Sequence, residues 1–284
     1  MKVRLIIIAL VSLSIFSCKQ KETLIHKKEL TRKQPKTISY SLENSKIWLK
    51  QNASDSSKLK IVMAINRTDK ANLSKHDSII IPKDYSGDLV YYLPFPLEVT
   101  YLKEVTKVVM FSYPTQTFAT YENGVLTYAG PTNMGRKKDK TPTGLFYTNW
   151  KAETTTSTFD DEWKLKWNFN IENKLGVGFH EYALPGLPVS HSCLRLLEED
   201  AKFLYSWANQ WILEDNQTIK VKGTPVIVFG AYQFEEEKPW LQLIKNPKAL
   251  DISESEIEKE ITPFLQTILT QQKVRENYTK TTTK

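Results

Sequence analysis

Two of the four histidines and one of only two cysteines fall between Gly178 and Leu196. The other cysteine, Cys18, lies near the N-terminus behind an apolar run, which leaves Cys193 as the thiol of the chain's body. One body cysteine with His180 and His191 nearby in sequence fits a nucleophile activated by a base. The thiolate is the reactive form, so such a site must draw the proton from a thiol whose free pKa is about 8.5. Histidine accepts a proton near neutral pH. Spacing alone leaves open which histidine does so. A strand over Ser190–Arg195 would turn His191, Cys193 and Arg195 to one face. His180 would return across Pro185-Gly186-Leu187-Pro188, which suits an antiparallel partner. Arg195 would then favour the thiolate or hold an anionic substrate group. The competing reading is a buried structural cysteine beside two ordinary histidines, since free cysteine is among the most buried residue types.

Ser190-His191-Ser192-Cys193-Leu194-Arg195-Leu196 resembles the Ser-His-Gly-Cys signature of the L,D-transpeptidase catalytic (YkuD-type) family. Phe179-His180 and Leu184-Pro185-Gly186-Leu187-Pro188 are similar to its upstream histidine segment. Gly130–Gly135 followed by Thr141-Pro142-Thr143-Gly144 resembles the family's strand and turn, and Val221–Val226 its closing strand. The resemblance covers roughly 99–230. It implies a Cys193 nucleophile, His180 as base with its ring set by a neighbouring carbonyl or by Glu181, and His191 and Ser190 as supports of thiolate and oxyanion. The backbone N–H groups of Ser192 and Cys193 become candidate oxyanion donors. Ser192 stands where the family usually has glycine, and Glu181 where it often has a small residue. If position 192 needs a positive φ, the serine costs about 1–2 kcal/mol.

The 284 residues could hold one large domain or two small ones. Hydrophobic content of 40% and charged content of 25% are those of an ordinary globular protein. The net charge of +7 suits work beside anionic envelope polymers or lipids. No zinc, phosphate-loop or RNA-binding signature points to nucleic acid.

Residues 1–17 have the form of an export signal: Lys2 and Arg4, then an apolar run from Leu5 to Phe16 too short to span a membrane as a mature helix. Ile15-Phe16-Ser17-Cys18 resembles the bacterial lipobox, which implies a lipid on Cys18. Residues 18–37, with Lys19, Lys21, Lys27, Lys28 and Lys33, read as a solvated tether. Residues 38–97 read as a small accessory module. Within it, residues 61–82 suggest a helix end, a loop and a short strand, similar to the second half of a lysin-motif (LysM) carbohydrate-binding module. Residues 84–96 look like an extended connector.

From Thr106 the pattern turns to strands, with Asn123-Gly124 as a two-residue hairpin signal. The basic loop Arg136–Lys140 could attract substrate carboxylates. Trp150, Phe159, Trp163, Trp167 and Phe169 suggest either a groove wall or hairpin packing. Ala201, Leu204, Trp207, Ala208 and Trp211 recur at helical spacing behind an acidic start, Glu198-Glu199-Asp200, that suits the helix dipole. In residues 231–284, Asp251 or Ser253 could cap a helix presenting Ile257, Ile261, Leu265 and Ile268, bent by Pro263 and fraying from Tyr278.

The expected fold is therefore mainly β: a β-sandwich catalytic domain over 98–230 with a short helix after the cysteine, a small α+β N-terminal module and a helical C-terminal extension. By resemblance, the activity is acyl transfer through Cys193 on peptidoglycan stem tetrapeptides, with an amine of another stem or of a protein as acceptor. Water as acceptor would make it an L,D-carboxypeptidase or cleaving enzyme. No cofactor is implied, and two histidines with one cysteine are too few for a zinc site. The alternative of a different class is a lipid-anchored wall-binding lipoprotein whose site has decayed. The expected place is the outer membrane, facing the periplasm.

Overall fold

A computed structural model describes residues 31–157 and 163–282. The segment expected to be an export signal, Cys18 and Phe159 lie outside the described residues. Residues from Lys33 onward form one compact unit. The accessory and catalytic segments are thus parts of the same body. Among the described residues no helix is long and apolar enough to cross a membrane.

The N-terminal part runs β1 (Tyr40–Asn44), α1 (Ser45–Asn52), α2 (Ser56–Ile65), α3 (Lys70–Leu73) and β2 (Ser78–Pro82). The two strands pair antiparallel, Leu42 opposite Ile80. Asn44, Asp55 and Asp69 cap the three helices by accepting hydrogen bonds from backbone N–H groups of the first turn. The expected helix end, loop and strand are the end of α2, the α3 turn and β2. The connector differs from expectation. Tyr92, Leu93 and Phe95 are buried, and residues 89–92 form a 3₁₀ turn, because this stretch covers one end of the main core.

The next strands are β3 (Val108–Ser112), β4 (Thr117–Glu122), β5 (Val125–Pro131), β6 (Gly144–Tyr147), β7 (Lys151–Thr156), β8 (Lys164–Glu172), β9 (Val177–Glu181) and β10 (Leu194–Leu196). Helix α4 (Glu198–Trp207) follows, then β11 (Ile212–Leu213), β12 (Ile219–Val221) and β13 (Pro225–Phe229). One sheet has the order β5-β4-β3-β13-β6 and another β10-β9-β8-β7. Asn123 and Gly124 both take positive φ, 48° and 79°, as a two-residue hairpin turn with the strands' twist requires. Phe111, Phe118 and Val226 of the first sheet pack against Phe169, Phe179 and Leu194 of the second, and Leu204 of α4 closes that core.

Helix α4 ends at Trp207, so Trp211 lies beyond it. Ser253 caps α5 (Glu254–Ile261) with a reciprocal Glu256 capping box. Pro263 separates α5 from α6 (Leu265–Thr282) instead of bending one helix, since its ring cannot sit inside a continuous turn. Ile257, Ile261 and Ile268 are buried as the spacing suggested. The end of α6 stays helical to Thr282, where threonine hydroxyls bond back to carbonyls three and four residues earlier.

Candidate active site

β9 and β10 carry the site. Alternate side chains of a strand face opposite ways. Phe179, Leu194 and Leu196 therefore enter the core, while His180, Tyr182, Cys193 and Arg195 line a cleft of about 320 Å³. Trp163, Leu165, Ser190 and His191 complete its walls. The pairing of β9 with β10 corrects the antiparallel expectation. It is parallel, with Arg195 opposite His180, because the connection after β9 is long enough to cross back. Ser190–Cys193 is likewise a loop and not a strand, yet it brings His191 and Cys193 to the same cleft.

His180 is 3% exposed, and its Nδ1 lies 2.9 Å from the Glu181 carbonyl. That contact makes Nδ1 the protonated nitrogen and leaves Nε2 as the acceptor. Burial lowers its pKa to about 4, the Glu181 carbonyl opposes this, and the Arg195 charge adds to it. Of the two orienting groups considered for the ring, the carbonyl is the one it meets.

Burial pushes the Cys193 thiol up, against the Gly178 backbone and Arg195, which favour the thiolate. Its Sγ donates to the Gly176 carbonyl at 3.8 Å, and no hydrogen bond joins it to His180 among the described residues. The resting pair is thus a neutral thiol beside a neutral imidazole. The His191 ring lies tilted against Trp163 with centroids 5.2 Å apart, and its pKa is lowered by burial and then by Arg136. The Arg195 guanidinium lies 4.5 Å from the Tyr182 ring, so its charge forms part of the cleft wall.

The loop that carries Cys193 is held by strands and turns of the first half. Thr132 to Arg136 run beside it: Arg195 and Asn133 exchange two backbone hydrogen bonds, Ser190 N–H donates to Met134 and Arg136 N–H to Ser190. Thr141 accepts from the Gly135 N–H and donates to the Ser192 carbonyl, both at 2.8 Å. Tyr113 donates to the Gly135 carbonyl at 2.5 Å. Ser192 has φ of 81°, the left-handed region that favours glycine, and its hydroxyl donates to the His191 carbonyl. The conditional strain of a serine here is therefore present. Neither the Ser192 nor the Cys193 N–H has an acceptor among the described residues, which suits oxyanion donors. Ser190 is 1% exposed, and its hydroxyl donates to the Cys193 carbonyl at 2.5 Å. That bond shapes the loop, and Ser190 lines the cleft beside Cys193.

Arg136 pairs with Asp139, and Lys137 with Glu235, so the basic loop is partly neutralised at the cleft's rim. Sequence reasoning missed a clamp on the loop after β9. Asp69 of the N-terminal part accepts from the Leu184 N–H at 2.6 Å, and Leu184 accepts from Asp69 N–H and the Thr68 hydroxyl. Its one sequence signal is the aspartate before Lys70-Ala71-Asn72, which reads as a helix cap and not as a long-range contact.

Residues 106–228 match the family model of the L,D-transpeptidase catalytic domain (YkuD). The match takes in β3 to β13 and the whole cleft. Among solved structures, the chain is similar to an L,D-transpeptidase (Yku) from Stackebrandtia nassauensis at 25% identity and a TM-score of 0.37, over 45% of this chain and 57% of that one. It is also similar to L,D-transpeptidase 3 from Mycobacterium tuberculosis at 23% identity and 0.35, over 44% and 61%. An L,D-transpeptidase from Mycobacterium smegmatis matches at 20% and 0.35, over 44% and 59%. The chain thus spans under two-thirds of these relatives' length. A search of curated proteins finds no match.

Proposed function

We propose that the protein is a peptidoglycan L,D-transpeptidase that works through a Cys193 thioester on stem tetrapeptides. The observation that carries this is the tautomer of His180: with Nδ1–H held by the Glu181 carbonyl, Nε2 is a neutral acceptor facing the same cleft as the thiol. Because both groups are neutral at rest, the proton passes from Sγ to Nε2 as sulfur attacks the carbonyl of the third stem residue. The oxyanion forms beside the Ser192 and Cys193 N–H groups. His180 then returns the proton to the departing amine of the terminal D-alanine. A second amine attacks the thioester and restores the thiol. Arg195, on the Tyr182 ring, attracts a stem carboxylate. Water as acceptor gives the L,D-carboxypeptidase outcome. A lipid on Cys18 would hold the enzyme at a membrane next to its substrate, on our proposal the outer membrane facing the periplasm, with residues 38–97 as a lysin-motif-like glycan contact.

One observation favours a second reading. A thiol pushed up by burial and bonded to Gly176 suits an inert cysteine in a wall-binding lipoprotein. The deciding experiment is mass spectrometry of the full-length protein and its Cys193→Ala variant with a disaccharide-tetrapeptide and with a carbapenem. A Cys193-dependent adduct with cross-linked dimer supports the transpeptidase, and tripeptide product supports the carboxypeptidase. Folded protein that stays unmodified beside untouched substrate supports the wall-binding reading.

A further inference from the structure

A groove apart from the catalytic cleft encloses about 1440 Å³, its open mouth included. Its apolar walls include Pro94, Phe95, Pro96 and Leu250, and Tyr40 and Arg67 also line it. Arg67 is 1% exposed and Tyr40 7%. Arg67 Nε donates to the Thr115 carbonyl at 2.7 Å, and Nη1 donates to the Ala64 and Ile65 carbonyls at 2.6 and 2.8 Å. Nη2 has no hydrogen-bond partner among the described residues, nor does the Tyr40 hydroxyl. Among the described residues no carboxylate pairs with Arg67, although Asp251, with Lys248, also lines the groove. The backbone at Arg67 has φ of 56°, at the position after a helix cap where glycine or asparagine is usual. An arginine accepts that conformation only where its side chain gains contacts that offset the strain.

A buried guanidinium without an anion is unfavourable, and the three carbonyls supply partial charges only. Two donors are therefore presented at one groove without a protein acceptor among the described residues. We propose that this groove binds a monocarboxylate with an apolar body, one oxygen on Arg67 Nη2 and the other on the Tyr40 hydroxyl. A planar monoanion suits two donors and an apolar surround better than a more strongly hydrated phosphate dianion. The Trp240 ring, 5.4 Å from the Arg67 guanidinium, fixes the cation in place. This site is independent of the catalytic reading.

Calorimetric titration of the full-length protein with phenylpropionate, phenylpropionamide and inorganic phosphate tests it. Saturable binding of phenylpropionate is expected, with the amide at least tenfold weaker. Tyr40→Phe, which keeps the ring, should weaken the acid about tenfold, and Arg67→Met should abolish binding. Arg195→Gln should leave it unchanged. Equal binding of acid and amide, phosphate binding without the acid, an unaltered Tyr40→Phe, or loss in Arg195→Gln would each overturn the proposal.

Discussion

Asp200 gives the protein a stability that declines with rising pH. The residue sits in the first turn of α4 and is 1% exposed. One carboxyl oxygen accepts from the Tyr128 hydroxyl at 2.6 Å, while the other has no partner among the described residues and packs against Gly130, where a Cβ would come within 2.8 Å of it. Desolvation raises its pKa from 3.8 to about 7, Glu199 adds to the rise, and the Tyr128 bond opposes it. The protonated form is thus favoured in the fold. The associated stability is full below the unfolded value near 3.8 and is lost as pH rises through about 7. At about 1.4 kcal/mol for each tenfold in proton affinity, ionisation forfeits roughly 4 kcal/mol across that window. Asp200→Asn keeps an acceptor for Tyr128 and cannot ionise. Urea unfolding of both proteins from pH 4.5 to 9.5 should show the wild type losing ground to the variant by up to about 1.4 kcal/mol per pH unit. The two curves should run parallel above about pH 8. Parallel curves over the whole range would refute a buried, titrating Asp200, as would a variant losing ground with rising pH.

Three other outcomes are expected. Carbapenem acylation of Cys193 should stay nearly constant from pH 5 to 7 and fall as pH drops through about 4, where His180 protonates and can no longer accept; a falling limb near pH 6.5 would place the base elsewhere. Ser192→Gly should raise stability by up to about 1 kcal/mol in thermal denaturation, since relief at φ of 81° exceeds glycine's extra unfolded-state freedom; a lowered melting temperature would contradict strain there. Asp69→Ala removes both the α3 cap and the acceptor of a buried N–H, and should cost about 2–4 kcal/mol in urea unfolding; a loss under about 0.5 kcal/mol would mean that the clamp contributes nothing.

The parts of the fold governed by local chemistry were legible in the sequence. Asn123-Gly124 must turn, Ser253 must cap, and Leu204 must face a sheet, whatever surrounds them. The left-handed backbone at Ser192 was also foreseeable, because the signature it departs from places glycine there. The parallel partner of β9 was not, since a twelve-residue connection permits either direction and only the packed core selects one. Nor was the buried state of Asp200, which a sequence shows as one of three acids at a helix start. Its neighbours Tyr128 and Gly130 come from a strand some seventy residues earlier. Ser190 illustrates the same limit: its type suits catalysis, but its bond to the Cys193 carbonyl depends on the turn it helps to make.

The bridge between Thr68 and Pro185 has an engineering consequence. A gene designer who transplanted only 106–228 as a cassette would leave the Leu184 N–H bare at the edge of the graft, together with the carbonyl that Asp69 and Thr68 now cover. The tip between β9 and β10 would then lose its contacts with the N-terminal part. Chimeras joined at a boundary upstream of β1 keep that tip in place, and those joined between β2 and β3 lose it. The loop that leads to Cys193 thus draws part of its shape from Asp69, a residue that lies outside the strands of the cleft.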